Sequence, residues 1–205
     1  QKKIGYTYQK HWFYLEDISV QQKIQNVKSV ILTISVHTKR KICEVVKMEK
    51  YIPIIERLKR EEKDILIFTH ENPDGDGIGS MIALYLFLKK IGKNVVMAMK
   101  DDVPYVYNFL PKVNEIKKLP INHKFSVAIL VDASSRKRAG TQIQSHELIR
   151  IDHHIGGEFE SIYDYVDDYS PSTTAVVTEI LRNWDESLID KEIATCLYTG
   201  LITDT

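Results

Sequence analysis

The 205-residue chain has little that would place it in a membrane or outside the cell. It contains no uninterrupted apolar run of about 18 residues, the length that a transmembrane helix needs. Its first residues lack the basic, apolar and small-residue pattern of a secretory signal. The two cysteines, Cys43 and Cys196, have no second thiol nearby in the sequence. Because disulfide frameworks and zinc ribbons need grouped cysteines, the sequence predicts a protein of a reducing, cytoplasmic compartment.

The chain also lacks net charge, but its charges are unevenly distributed. Residues 1–47 carry nine Lys and Arg against three acidic residues, so residues 48–205 are acidic by the same margin. A basic segment can contact nucleic acid. Alternatively, the segment does not belong to the functional domain, and Met48 is a natural start. We expect residues 1–47 to be a loosely attached segment of unknown role, followed by a domain over residues 48–205.

From Met48 onward, short apolar runs alternate with helical patterns. Strand-length runs lie at residues 65–69, 94–99, 125–132 and 148–152, and helical patterns lie at 50–63, 77–93, 170–184 and 190–205. Strands that are apolar on successive side chains are buried on both faces, as in parallel sheets. The sequence therefore predicts an α/β fold, in which a parallel sheet carries helices on both faces.

Polar side chains follow three of these strands. The stretch THENPDGDGIGS, residues 69–80, follows the first strand, Asp132 ends the third, and Asp152, His153 and His154 end the fourth. The carboxyl ends of parallel strands share one edge of the sheet, which is where such folds bind ligands. We therefore expect these side chains to meet, and Asp204 in the last helix is able to reach the same edge.

Taken singly, these features have simpler explanations. An aspartate after a strand is more often a turn or cap residue, and PDGDG resembles a calcium loop that lacks its final glutamate. Taken together, they offer four carboxylates and two or three imidazoles, which suit manganese or magnesium better than structural zinc. There are enough ligands for two ions that share one carboxylate, an arrangement that hydrolyses phosphate esters.

Four motifs carry a resemblance to a known family. HENPDGDGIGS, VDASS, IDHHIGG and TGLITDT resemble the successive motifs of the DHH phosphoesterases, over about residues 50–205. The sequences of these motifs, with Arg138 and Gly140 shortly after Asp132, are most similar to those of the bacterial oligoribonucleases that also act on phosphoadenosine phosphate (pAp). Other members leave alternatives open: cyclic-dinucleotide phosphodiesterases, inorganic pyrophosphatases and RecJ-type single-strand exonucleases. A non-catalytic metal- or nucleotide-binding module is a further alternative.

The resemblance implies two divalent ions, manganese or alternatively magnesium, held by motif side chains. It also implies that Asp132, as the bridging ligand, is one of two catalytic residues. The expected ligands are His70 and Asp74 for one ion, Asp76, His153 and Asp204 for the other, and Asp132 for both.

The resemblance implies roles around the substrate as well. His154, the second catalytic residue, would donate a hydrogen bond to the substrate phosphate, and Asp152 would orient a neighbouring histidine. Ser80 and Arg138 would also bind substrate. Glycines at 75, 77 and 79 would allow tight turns beside the ions.

Family members continue beyond the fourth motif into a second, DHH-associated domain. This chain stops at Thr205 inside that motif, so we expect the C-terminal domain, and with it half of the substrate cleft, to be missing. The expected activity of the full protein is hydrolysis of short RNA, and of pAp, to mononucleotides. The expected partners are a short RNA or nucleotide substrate and no membrane, with a homodimer as the assembly to test.

The charge asymmetry yields a prediction about stability. Deleting residues 1–47 is expected to leave the thermal unfolding midpoint within a few degrees of the intact chain, because the segment is predicted to be loosely attached. Circular dichroism during heating measures this. A loss of several degrees or more would show that the segment packs on the domain.

Overall fold

A computed structural model describes residues 51–157 and 161–205, together with scattered helical positions between 22 and 41. The chain divides into two compact units, Gln1–Glu49 and Lys50–Thr205. The prediction for residues 1–47 falls almost entirely outside the described residues and stays a prediction. The fold described below is that of the second unit.

Six strands form one fully parallel sheet in the order β3-β2-β1-β4-β5-β6. This confirms the parallel α/β class that the apolar runs predict. The strands are β1 (Asp64–Phe68), β2 (Asn94–Met99), β3 (Lys117–Lys118), β4 (Phe125–Val131), β5 (Ser145–Asp152) and β6 (Tyr163–Val166).

Four α-helices accompany the sheet in this unit, and three of them begin at a residue whose side chain caps the helix. The caps are Asp74, Ser172 and Asp190, and each accepts hydrogen bonds from backbone N–H groups of the first turn. These N–H groups have no partner within the helix, so the cap satisfies them. The helices are α1 (residues 51–59), α2 (Gly75–Lys90), α3 (Thr173–Asp185) and α4 (Lys191–Asp204).

Two hydrophobic clusters cover the two faces of the sheet. The larger cluster joins alternate strand residues such as Ile67 and Ile129 to the apolar sides of α1, α2, α3 and α4. The smaller cluster joins the opposite strand residues, such as Phe68 and Leu130, to Leu119, Ala139 and Ile143. Ala139 belongs to a short 3₁₀ helix, Arg136–Ala139, that follows β4. Burial on both faces explains why the central strands are apolar at successive positions.

The outer strands were not predicted from the sequence. β3 consists of two exposed lysines, and β6 has the sequence YDYV, in which a polar residue interrupts the apolar pattern. Both lie at the ends of the sheet and each pairs with one neighbour only. An edge strand needs less apolar character than a central one, so hydropathy alone does not reveal it.

No helix among the described residues is both long and apolar enough to cross a membrane. The longest one, α2, has 16 residues and ends in two lysines.

Close packing of α2 on α4 yields a prediction about stability. A Cβ added at Gly79 would lie 2.5 Å from the backbone carbonyl oxygen of Cys196, which cannot rotate away. Overpacking of this kind typically costs about 1–3 kcal/mol, more than the roughly 1 kcal/mol that alanine gains in helix propensity. Gly79→Ala should therefore lower the thermal midpoint by roughly 2–8 °C. Lys89→Ala, on the exposed side of α2, is the control, and a midpoint unchanged by Gly79→Ala would contradict the close approach.

Candidate metal centre

The carboxyl edge of the sheet gathers the predicted ligand side chains into one place. They form three overlapping groups, and within each group the ligand atoms lie within 4.8 Å of one another. The ends of β1, β4 and β5, the first turn of α2 and the last turn of α4 contribute to them. The groups are His70–Asp74–Asp132, Asp76–His153–Asp204 and Asp132–His153–His154.

Asp132 lies at the centre of the arrangement and is almost wholly buried. Its Oδ2 atom is 3.4 Å from His70 Nε2, whereas its Oδ1 atom is 3.5 Å from His154 Nδ1 and 3.9 Å from His153 Nε2. The two oxygens of one carboxylate thus face two different groups of ligands. Asp132 also has a positive φ of 57°, a conformation that aspartate tolerates better than most residues and that turns the chain directly after β4.

On one side of Asp132, the ring of His70 is held by the backbone. Its Nδ1 atom donates a hydrogen bond of 2.7 Å to the carbonyl oxygen of Glu71. In the neutral ring the lone pair is then on Nε2, which points at Asp132 and lies 3.9 Å from Asp74 Oδ1. Asp74 is half-exposed and uses the same oxygen to cap α2. The His70 ring, with Nδ1 donating to the backbone and Nε2 facing the carboxylates, thus has the orientation that a metal-binding histidine requires.

On the other side, His153 has a buried nitrogen that no hydrogen bond of the described residues satisfies. That atom, Nε2, lies 3.2 Å from Asp204 Oδ2 and 3.9 Å from Asp76 Oδ2. The other ring nitrogen, Nδ1, faces the carbonyl oxygen of Ser170 at 3.3 Å. A buried nitrogen surrounded by carboxylate oxygens, with no donor between them, fits a bound cation.

The carboxylates also repel one another. Burial, and then the charge of the neighbouring Asp132, raise the pKa of Asp76 to about 6. Burial alone would raise the pKa of Asp132 as well, but contacts with His70 and Thr173 hold it below its ordinary value. Burial alone would lower the pKa of His70, yet its contacts with Asp132 and the Glu71 carbonyl raise it. A divalent cation would relieve this repulsion.

Three of the residues predicted to lie around the substrate, Asp152, His154 and Arg138, are found near the ligand groups. Asp152 Oδ1 accepts hydrogen bonds from the backbone of His153 and His154 and from His154 Nδ1, at 2.8–3.1 Å. The side chain of His154 is 41% exposed, and Nδ1 is the ring nitrogen committed to Asp152. The Arg138 side chain is exposed, and its charge acts on the pKa of His154, so both lie at the mouth of the site.

The prediction that Ser80 contacts substrate is wrong in this fold. α2 begins at Gly75, two residues before the predicted helical pattern, so Ser80 lies inside the helix, where it is fully buried. Of the three glycines, Gly77 is the one that faces the ligands: a Cβ there would lie 2.5 Å from Thr69 Oγ1 and 3.2 Å from Asp132 Oδ2.

Sequence reasoning missed the N-terminus of α3, which supports two of the carboxylates. The backbone N–H groups of Thr173 and Thr174 donate to the two oxygens of Asp76, at 2.6 Å and 2.8 Å. The hydroxyl group of Thr173 donates to Asp132 Oδ1 at 2.9 Å. Residues 170–174, SPSTT, indicate a helix start, but nothing in them indicates which side chains that helix start contacts.

Comparison with known proteins agrees with this geometry. Residues 64–201 match the family model described as the DHH family, N-terminal domain. The chain belongs to the DHH family. The match spans the sheet from β1 to β6 and most of α4, and it includes every predicted ligand except Asp204.

Individual relatives of the DHH chain are phosphohydrolases by name. It is 35% identical over 162 residues, 77% of its length, to the bifunctional oligoribonuclease and PAP phosphatase NrnA of Thermus thermophilus. It is 28% identical over 149 residues, 68% of its length, to a probable manganese-dependent inorganic pyrophosphatase of Brevibacillus brevis. It covers 48% and 47% of these two proteins, so the chain spans about half the length of the curated relatives it matches.

A solved structure supports the fold. The crystal structure of an exopolyphosphatase-related protein from Bacteroides fragilis is similar to this chain, at a TM-score of 0.68 and 27% sequence identity. The alignment covers 77% of this chain and 50% of the Bacteroides chain. The chain thus shares the fold and the motifs of the DHH family, and its ligand groups suit divalent cations.

The ligand groups yield a prediction about metal and stability. A site that binds an ion only in the folded state stabilises the protein by about 2.7 kcal/mol when the free ion is at 100 times its Kd. Manganese at that level should raise the thermal midpoint by roughly 5–10 °C, and EDTA should reverse the rise. Asp132→Ala should abolish most of it, whereas Glu62→Ala, an exposed carboxylate between α1 and β1, should not. Equal manganese shifts in both variants would contradict the site.

Proposed function

We propose that this protein is a two-metal phosphoesterase in which Asp132 bridges the two ions. The observation that carries the proposal is the orientation of the Asp132 carboxylate, whose two oxygens face His70 on one side and His153 on the other. Two ions that share a carboxylate lie about 3.5–4 Å apart, the spacing used for in-line displacement at phosphorus. Each side supplies at least two further ligands, Asp74 with His70 and Asp76 with His153 and Asp204.

Manganese is the proposed ion, with magnesium as the alternative. Mixed carboxylate and imidazole ligands suit manganese, and the Brevibacillus relative is named as manganese-dependent. When bound, the ions supply positive charge beside the phosphoryl oxygens and lower the pKa of a nearby water. The protein contributes two almost fully buried carboxylates, Asp76 and Asp132, whereas Asp74 and His154 lie on the solvent-exposed side of the site.

The residues of the chain itself account for substrate orientation. Burial alone would lower the pKa of His154, but its contact with Asp152 raises it. The protonated ring then donates through Nε2 to a phosphoryl oxygen, since Asp152 accepts from Nδ1 and the ring is open to solvent. The Arg138 guanidinium, exposed at the same mouth, contacts a second phosphate or the leaving nucleotide. The backbone places this arginine beside the first motif, because the Glu71 N–H donates to the Arg138 carbonyl at 2.7 Å.

The proposed substrates are short RNA and pAp, which are cleaved to mononucleotides. The motif wording and the 35% identity to the Thermus protein named for both activities support this choice. The second candidate function is hydrolysis of inorganic pyrophosphate, which the similarity to a named pyrophosphatase supports at lower identity. Both activities require the same ions, and they differ in the residues that contact the substrate around those ions. Competition between the two substrates therefore distinguishes the two candidate functions.

The test is an assay of the full gene product with manganese. Release of mononucleotide from RNA of two to five residues is measured beside pAp, pyrophosphate, a cyclic dinucleotide and long single-stranded DNA. Asp132→Ala should abolish turnover, because it removes the ligand shared by both ions. His154→Ala should spare metal binding and slow turnover by roughly 2.7–4 kcal/mol, the usual effect of losing one oxyanion donor.

The outcomes separate the candidates. Much faster turnover of pyrophosphate or a cyclic dinucleotide than of short RNA would replace the proposed substrate with another of the same chemistry. Binding of manganese without hydrolysis of any substrate would favour a non-catalytic binding module. Full activity in Asp132→Ala would contradict the two-metal proposal itself.

A further inference from the structure

Thr173, the first residue of α3, contacts two carboxylates that belong to different motifs. Its backbone N–H donates to Asp76 Oδ2 at 2.6 Å, and its hydroxyl donates to Asp132 Oδ1 at 2.9 Å. All three residues are at most 1% exposed, so water does not compete for these hydrogen bonds. A single residue of α3 thus fixes the relative position of side chains from α2 and from the end of β4.

The two oxygens that Thr173 contacts lie on the same side of the centre. Asp76 Oδ2 and Asp132 Oδ1 are each 3.9 Å from His153 Nε2, the buried nitrogen that has no hydrogen-bond partner among the described residues. The other oxygen of Asp132, Oδ2, faces His70 and receives nothing from Thr173. Both oxygens that Thr173 contacts therefore face the group around His153, whereas its hydrogen bonds do not reach His70 or Asp74, the other two members of the His70–Asp74–Asp132 group.

The hydroxyl of Thr173 differs from those of four threonines further along α3 and α4, and Thr173, the first residue of α3, has no carbonyl oxygen four residues earlier in its own helix. Thr178, Thr195, Thr199 and Thr203 donate to the carbonyl oxygen four residues earlier in their own helix, at 2.7–3.0 Å. Thr173 instead donates to a side chain 41 residues away in the sequence. A threonine needed only for helix packing does not require a buried charged acceptor. Hydrogen bonds to ligating carboxylates set their direction, and losing such a partner typically weakens metal binding 10–100-fold.

We propose that Thr173 is a positioning residue for the ion held by Asp76, His153 and Asp204. This inference rests on the proposed two-metal function and adds that the two ions depend on different supports. The Thr173 hydroxyl keeps Asp132 Oδ1 turned towards the His153 side, so its removal weakens that ion selectively. The ion beside His70 keeps His70 and Asp74, two ligands to which Thr173 donates no hydrogen bond.

The experiment measures manganese binding to the full protein by calorimetry and by electron paramagnetic resonance. Thr173→Val removes the hydroxyl and keeps the shape, Thr173→Ser keeps the hydroxyl, and Thr178→Val is the control in the same helix. The wild type is expected to bind two ions, with the broadened signal of a coupled pair. Thr173→Val should weaken one ion 10–100-fold, leave the other within about threefold, and give the six-line signal of a single ion. Thr173→Ser and Thr178→Val should resemble the wild type.

The thermal midpoint of each metal-free variant shows whether the variant still folds. If it does, a change in manganese affinity reports the positioning of the ligands and not a loss of folding. Equal affinity for both ions in Thr173→Val and wild type would overturn the inference while leaving the two-metal function standing. Equal weakening of both ions would also overturn it, since the effect would not be one-sided. If Thr173→Val does not fold, Thr173→Ala takes its place with the same expected result. Absence of manganese binding by the wild type would instead contradict the proposed function, and the inference with it.

Discussion

The structure depends on one electrostatic constraint, the convergence of several carboxylates at a buried sheet edge. Like charges 4 Å apart repel by about 4 kcal/mol at an effective dielectric near 20, and the pKa of Asp76 rises to about 6 in consequence of its burial and of Asp132. Folding alone gives no reason to assemble such a cluster. Divalent cations do, and the imidazoles of His70 and His153 complete a set of ligands that suits them.

The surrounding elements also offset the negative charge of this cluster. α2 and α3 both begin at the site, so their free N–H groups and the positive ends of their dipoles face the carboxylates. Asp74 caps α2, and the first turn of α3 donates to Asp76. α4 brings Asp204 to the same edge, and its close approach to α2 requires glycine at position 79. The helix termini thus determine where the ligands lie.

Much of this arrangement follows from local sequence. The ends of β1, β4 and β5 are predictable because long apolar runs stop there, and in a parallel sheet those ends share an edge. The position of Ser80 was misjudged because Asp74 caps the helix earlier than the glycine-rich sequence suggests. The role of Thr173 depends on a hydrogen bond across 41 residues, which no local pattern reveals. The edge strands β3 and β6 escaped prediction because edge pairing needs little apolar sequence.

Asp132 is expected to lie between two cations. Crystals of the protein soaked in manganese, measured above and below the manganese absorption edge, test this most directly. Two anomalous peaks about 3.5–4 Å apart are expected, one on each side of the Asp132 carboxylate, with His70 near one and His153 near the other. A single peak, or two peaks of which neither contacts Asp132, would contradict it.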